Sequence, residues 1–285
     1  MITHYYSLVK PGIVYGNALT AAAGFFIAAQ GHIDVKLFLA MLLGVVLIVA
    51  SGCVFNNYID RDIDAKMERT KNRALVRGLI SNRAAVIFGT CLGILGAAIL
   101  FIFTNVLTAI VTLFGLFVYT VLYSILSKRN TMHSTLIGAV AGAVPPVAGY
   151  TAVIHTLDYG AVILFLILFT WQMPHALSIA IRRFNDYSAA SIPVTPVARG
   201  IPTAKTHILA YIAVFSLASL ALTPLGLTSY RYFWTLAVLE FLWLAMSVLG
   251  FWTNNDATWA RKMFLYSLIL IVVFCIAASL DATFQ

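Results

Sequence analysis

The chain has 285 residues, of which 61% are apolar and 10% charged, and its mean hydropathy is +0.94. A soluble domain carries about 25% charged residues, and so few charges on a soluble surface of this size would leave wide apolar patches bare. Composition therefore excludes a soluble globular protein and a disordered one, and places the chain in a lipid bilayer. The net charge of +8 does not point to nucleic acid, because the basic residues are scattered over the connections between apolar runs. Cys53, Cys91 and Cys275 each sit alone in an apolar run and imply neither a disulfide framework nor a zinc site.

A helix needs about 20 mostly apolar residues to cross the hydrocarbon core. Residues 1–10 do not read as a cleavable signal, and the first apolar run is expected to be the first transmembrane helix. In chain order the spans are 13–31, 37–57, 84–103, 106–126, 131–154, 159–181, 206–224, 232–252 and 263–280, and Glu240 is the one formal charge inside them. Only Thr104-Asn105 divides the third from the fourth. Basic residues test this count. Lys10, the cluster from Arg61 to Arg83, Lys128-Arg129, the set from Arg182 to Lys205 and Arg261-Lys262 all fall on one side, and only Lys36 and Arg231 on the other. The expectation is an all-α integral membrane protein, a bundle of nine transmembrane helices with its N-terminus cytoplasmic and its C-terminus outside. It is expected to be a single domain, 1–285, multi-pass in the cytoplasmic (inner) membrane.

The two longest connections, 58–83 and 182–205, fall on the predicted cytoplasmic side and hold most of the acids outside the spans. Long loops in a compact protein are more often functional than idle. Asn56-Asn57-Tyr58 opens the first and Asn185-Asp186-Tyr187 the second. Duplication of a four-helix unit and chance both account for so short a match.

Asp60, Asp62, Asp64 and Glu68 crowd into nine residues. Side chains four apart stack on one helical face, so Asn56, Asp60 and Asp64 form a stripe if the second helix continues past its apolar part, and Asp62 points elsewhere. Two carboxylates on one face repel unless a cation lies between them, and oxygen-only ligands suit Mg²⁺, which takes one or two carboxylates plus substrate phosphates. Arg69, Lys71, Arg73 and Arg77 follow, as a diphosphate bridged by Mg²⁺ would require. The alternative is a solvated helix end with pairs such as Asp62–Lys66 and arginines that only set topology. The acids begin where an apolar helix leaves the membrane, where unpaired charge is costly, and this favours the metal site.

Asn56-x3-Asp60-x3-Asp64 followed by Met67-Glu68-Arg69-Thr70-Lys71-Asn72-Arg73 resembles the first motif of the UbiA superfamily of intramembrane prenyltransferases. Lys10-Pro11-Gly12, Ser51-Gly52-Cys53, Lys128-Arg129, Gly142-Ala143-Val144-Pro145-Pro146, Trp171-Gln172-Met173-Pro174-His175 and Arg183-Phe184-Asn185-Asp186-Tyr187 leading to Ile192-Pro193-Val194 are similar to the branch of that superfamily that prenylates haem. The resemblance covers residues 9–200. It implies a UbiA-like bundle in which farnesyl diphosphate, held through Mg²⁺, ionises to an allylic cation. A vinyl group of haem B, a substrate rather than a cofactor, adds to that cation, and water completes the product, haem O. It also implies association with haem A synthase or terminal oxidase assembly.

Carried onto this chain, the resemblance makes Asn56, Asp60 and Asp64 the metal ligands and catalytic set. Arg69, Arg73, Lys128, Arg129, Lys10 and Asp186 become the diphosphate contacts. Tyr123 upstream of Lys128 matches a Tyr-then-Lys pattern of the superfamily, although a basic pair in a short turn also serves topology. Many members carry a second pair of aspartates four apart; here Asp186 is followed at that spacing by Ala190, so a symmetric two-metal site is not expected. His175 and Gln172 share a side of the sixth span around Pro174, which kinks it. His175 is either a core histidine bonded to a neighbouring helix or a contact to haem iron or a propionate. His133 is the weaker candidate. Pro145-Pro146 is expected to kink the fifth span. Two rivals differ in class: a prenyltransferase acting on a quinone precursor or chlorophyll-like ring, and a transporter, which would keep its ionisable groups near the midplane.

Overall fold

The computed structural model describes residues 2–283. Among these, nine helices are long and apolar enough to cross a membrane: Pro11–Ala29, Val35–Ile59, Asn82–Phe103, Val106–Ser127, Ser134–Ile154, Tyr159–Arg182, Ile201–Leu220, Tyr230–Trp252 and Asp256–Ala282. They are called the first to ninth spans. Their order matches the expected one, but two starts move by more than four residues. The seventh span begins at Ile201 instead of residue 206, and the ninth at Asp256 instead of 263, so the second long connection is shorter than 182–205. Nor is Glu240 the only charge in a span, since Lys36, Arg83, Arg182, Lys205, Arg231, Asp256, Arg261, Lys262 and Asp281 lie in helical ends. Counting apolar residues stops at the first charge, whereas helical hydrogen bonding continues into the interface, where long basic side chains reach water. Lys205 is instead satisfied inside the protein: it is buried, and its ammonium donates to Gly250 O at 2.7 Å, pairs with Asp256 at 2.5 Å and lies 5.4 Å from the Trp259 ring centre.

Local sequence sets the helix starts. Asp34, Ser81, Asn105 and Asp158 cap the second, third, fourth and sixth spans through side-chain oxygens that accept from exposed backbone N–H groups. Asn105 explains how a two-residue gap suffices, because its Oδ1 accepts from Thr108 N at 2.9 Å and restarts the helix at once. The fifth span breaks at Ala143 into Ser134–Gly142 and Val144–Ile154, with the proline pair in the first turn of the second half. There a proline's missing N–H costs nothing. The fourth span changes winding: Val106–Phe117 is α-helical and Val118–Ser127 is π-helical, a rare form that favours functional sites.

Spans one, two, four, five, six and nine surround a central cavity of about 400 Å³. The third span backs the second and fourth, and the seventh and eighth back the sixth and ninth. Large apolar side chains such as Ile94, Ile102, Trp234 and Phe241 face outward, where lipid is their natural solvent. Cys53 and Cys275 are buried, whereas Cys91 faces outward. The two long connections meet at one end of the bundle, where Ile63 and Met67 of the first pack with Ala190, Ile192 and Val194 of the second.

The first and fifth spans touch through backbone. A Cβ on Gly149 would lie 1.9 Å from Ala21 O, and one on Gly24 would lie 2.0 Å from Pro146 O. No rotamer relieves such a contact. Gly149→Ala should therefore push these spans apart and lower stability by about 1–3 kcal/mol, read as a lower midpoint of thermal aggregation in detergent. Gly12→Ala, which meets nothing within 4 Å, should leave that midpoint unchanged.

Candidate active site

The second span ends at Ile59, and the short helix Arg61–Asp64 follows. Asp60 N donates to Asn56 O at 2.9 Å and Asp64 N to Asp60 O at 2.8 Å, so helical register survives the junction. Asn56, Asp60 and Asp64 therefore share a face, and all three are buried. Burying carboxylates is costly unless cations accompany them. Each has one: Lys128 pairs with Asp60 Oδ2 and Arg73 with Asp64 Oδ2, while Lys10 donates to Asn56 Oδ1. Lys10 precedes the first span, Lys128 follows the fourth, and Arg73 comes from the first long connection, so three distant segments converge on one helix end. Lys10 adopts a left-handed backbone conformation, φ 51°, just before Pro11. Burial, and then repulsion from Arg73, pushes its ammonium pKa down to about 8.

The amide of Asn56 is oriented by its partners. Its Nδ2 donates to Asp60 Oδ2 at 2.8 Å and to Ser124 Oγ at 2.9 Å. Ser124 can accept because its own proton goes to Tyr119 O at 2.8 Å, five residues back along the π-helical turn. That leaves the amide oxygen as the group Asn56 presents to a cation.

Other candidates lie apart. Arg129 grips both oxygens of exposed Asp62 at 2.7 Å and donates to Ile59 O at 2.9 Å. This fork holds the Asp62 carboxyl below the usual range and raises the Arg129 pKa in return. Arg129 thus fastens the end of the second span, away from Asp60 and Asp64. Arg69 is exposed, and its charge opposes the burial that raises the Tyr187 phenol pKa. Asp186 lies 3.9 Å from Arg183 and keeps one buried oxygen without a hydrogen bond.

The cavity runs from Gly12 and Cys53, the latter one turn before Asn56, past Tyr119 and Pro145 to Trp171 and His175. Gln172 lines it too, its amide donating to Ala139 O and Leu168 O, each at 3.2 Å. His175 Nδ1 lies 2.8 Å from Ser267 Oγ on the ninth span. Ser124 and Ser267 are the site residues that sequence reading missed. A serine inside an apolar run carries no signal of its own; only its partner on another span identifies it.

The donor set suits a hard divalent cation. It consists of oxygens, and Asp60 Oδ1 is buried without a hydrogen-bond partner. No three His, Cys, Asp or Glu side chains converge among the described residues; Mg²⁺ typically takes one or two carboxylates and completes its shell with substrate phosphates.

A buried acid–base cluster closes an apolar chamber inside a helical membrane bundle. Residues 17–269 match the UbiA prenyltransferase family, and the chain belongs to it. Among curated relatives, one from Serratia proteamaculans is 50% identical over 99% of this chain and 95% of its own length, and one from Sodalis glossinidius is 51% identical with the same coverage. Both carry the name protoheme IX farnesyltransferase. A solved structure of digeranylgeranylglyceryl phosphate synthase shares the fold with a TM-score of 0.82 at 19% identity, covering 100% of this chain and 99% of its own. A UbiA homologue from Archaeoglobus fulgidus bound to GPP and Mg²⁺ does so with a TM-score of 0.69 at 17% identity, covering 96% and 99%.

Asp60→Asn and Asp64→Asn should each reduce prenyl transfer at least about a hundredfold while the protein still inserts and purifies normally, whereas Asp62→Asn should stay within about threefold of wild type. Ser124→Ala should raise the Mg²⁺ concentration needed for half-maximal rate without abolishing turnover. Equal loss in Asp62→Asn and Asp60→Asn would contradict the one-face geometry.

Proposed function

We propose that this protein transfers the farnesyl group of farnesyl diphosphate to a vinyl group of haem B, with addition of water, releasing haem O and diphosphate. The observation that carries this reading is the half-identity, along nearly the whole chain, to relatives named for that activity. The site supports it: a charged rim suited to a diphosphate opens onto an apolar chamber suited to a prenyl chain and a porphyrin.

Asn56, Asp60 and Asp64 are the residues that would hold Mg²⁺, which when bound supplies the charge neutralisation that lets diphosphate leave. Arg73 and Lys128 already stand at these carboxylates and Lys10 at the Asn56 amide oxygen, and all three would turn to the phosphate oxygens when the substrate arrives. Fixed cations at the position where leaving-group charge grows favour the transition state over the ground state. Arg69, exposed further out, would guide the anion inward, Asp186 would face the rim from the second long connection, and Arg129 would serve the site through the helix end it fastens. The farnesyl tail would descend past Gly12 and Tyr119, since each CH₂ removed from water contributes roughly 0.8 kcal/mol. Haem would lie deeper, against Gln172 and His175, with its propionates directed toward the basic rim. We also propose that the rim faces the cytoplasm in the inner membrane, following the basic-residue asymmetry, and that the product passes to haem A synthase or to terminal oxidase assembly.

The decisive assay incubates purified protein with haem B, farnesyl diphosphate and Mg²⁺ and weighs the extracted haem by mass spectrometry. The expected product exceeds haem B by one farnesyl and one hydroxyl group; EDTA should abolish it and Mg²⁺ restore it. Unmodified haem under conditions where a quinone precursor becomes prenylated would assign the other acceptor class. For orientation, labels within 58–83 should be reached only from the cytoplasmic side, and labels within 32–34 and 155–158 only from outside. Labels within 58–83 reached from outside would reverse the assignment.

A further inference from the structure

Imidazole presents two nitrogens, and which one carries the proton decides what a histidine can do. Around His175 one arrangement satisfies the neighbouring groups together. The Ser267 hydroxyl donates its single proton to Phe264 O at 2.7 Å, one turn earlier on the ninth span. With its proton there it accepts from His175 Nδ1, 2.8 Å away, an arrangement that puts the imidazole proton on Nδ1. Nε2 is left with a bare lone pair and has no hydrogen-bond partner among the described residues. The ring cannot turn freely either. Trp171 stacks on one side at 4.8 Å, Phe264 lies against the ring at 4.9 Å, and the Trp171 indole N–H is itself held by Ser267 O at 3.0 Å. Ser267 is completely buried and thus anchors both rings from the ninth span, and His175 and Trp171 both line the cavity.

A neutral imidazole with a fixed plane and an unprotonated Nε2 cannot donate a hydrogen bond to a carboxylate. It can accept one or bind a metal, and metal-bound histidines characteristically donate their other N–H to a fixed oxygen. We infer that Ser267 is a positioning residue that holds His175 in the Nδ1–H form so that Nε2 coordinates the iron of a metalloporphyrin in the cavity. This rests on the haem reading above and deepens it, because it assigns the iron contact to one atom and its orientation to a serine ninety-two residues away in sequence.

The test compares haemin with metal-free protoporphyrin IX, which has the same shape and carboxylates but offers no iron. Wild-type protein should bind haemin more tightly, with a displaced Soret band. His175→Ala should remove both the preference and the displacement while still binding the metal-free porphyrin, and added imidazole should restore the displaced band. Ser267→Ala should reduce the haemin preference about fivefold, the worth of one lost hydrogen bond, and Ser267→Thr should restore it. Equal losses for haemin and protoporphyrin in His175→Ala would make His175 a packing residue and overturn the inference, as would a Ser267→Ala protein with wild-type haemin affinity and spectrum. Neither result touches the farnesylation assay, and failure of that assay with intact haemin coordination would reject the reaction without rejecting the ligand.

Discussion

Two carboxylates stand where the second span leaves the bilayer, and they cannot stay there as bare charges. Taking one ion from water into a low-dielectric interior costs several kcal/mol even after relaxation. Lys128 and Arg73 meet that cost, and Lys10 adds a third cation through Asn56. Because these cations come from the start of the first span, the end of the fourth and the first long connection, satisfying the carboxylates also fixes how those segments meet. Cations outnumber carboxylates by one in this cluster. That excess gives the rim a net attraction for anions, in surroundings where each charge acts more strongly than it would in water.

The winding of the fourth span follows from the same demand. A continuous α-helix would place Ser124 and Lys128 on a steadily advancing stripe. The π-helical turn holds back that advance, so Ser124 meets Asn56 while Lys128 reaches Asp60. Lys128 N donates to Tyr123 O at 2.9 Å, which closes this wider turn at the residue that pairs with the acid. Wide turns forgo good hydrogen-bond geometry and persist where tertiary contacts hold them.

What was legible in the sequence followed from short-range periodicity. Asn56, Asp60 and Asp64 could be placed on one face because the i, i+4 relation holds through Ile59 into the next turn, and the same reasoning turned Asp62 outward. The nine spans were legible because bilayer thickness fixes their length. Span ends were not, since Lys205 and Asp256 lie within helices and neutralise each other across the bundle, a pairing that hydropathy cannot see. Arg129 illustrates the same limit from the other direction. Its neighbour Lys128 reaches the buried acid, and one residue further on the chain has turned outward to Asp62. Adjacent positions in a tight turn diverge, so a basic pair in sequence need not be a pair in space.

The chamber below the rim has opposite requirements. In the proposed reaction an allylic cation would survive only where nucleophiles are scarce, which suits largely apolar walls, and small residues such as Gly52, Gly115 and Gly142 make room without adding polar atoms. Polar groups that do reach the chamber are mostly occupied: Gln172 spends its amide hydrogens on Ala139 O and Leu168 O, and Asn17 donates to Ile13 O. His175 differs because Ser267 occupies only one of its nitrogens. The bundle thus keeps two electrostatic regimes apart, a rim where charge is concentrated and exchangeable and a chamber where almost every polar atom is committed. The proposed reaction, which would separate an anion from a carbocation, would use both regimes, with the anion leaving toward the rim and the cation held in the chamber.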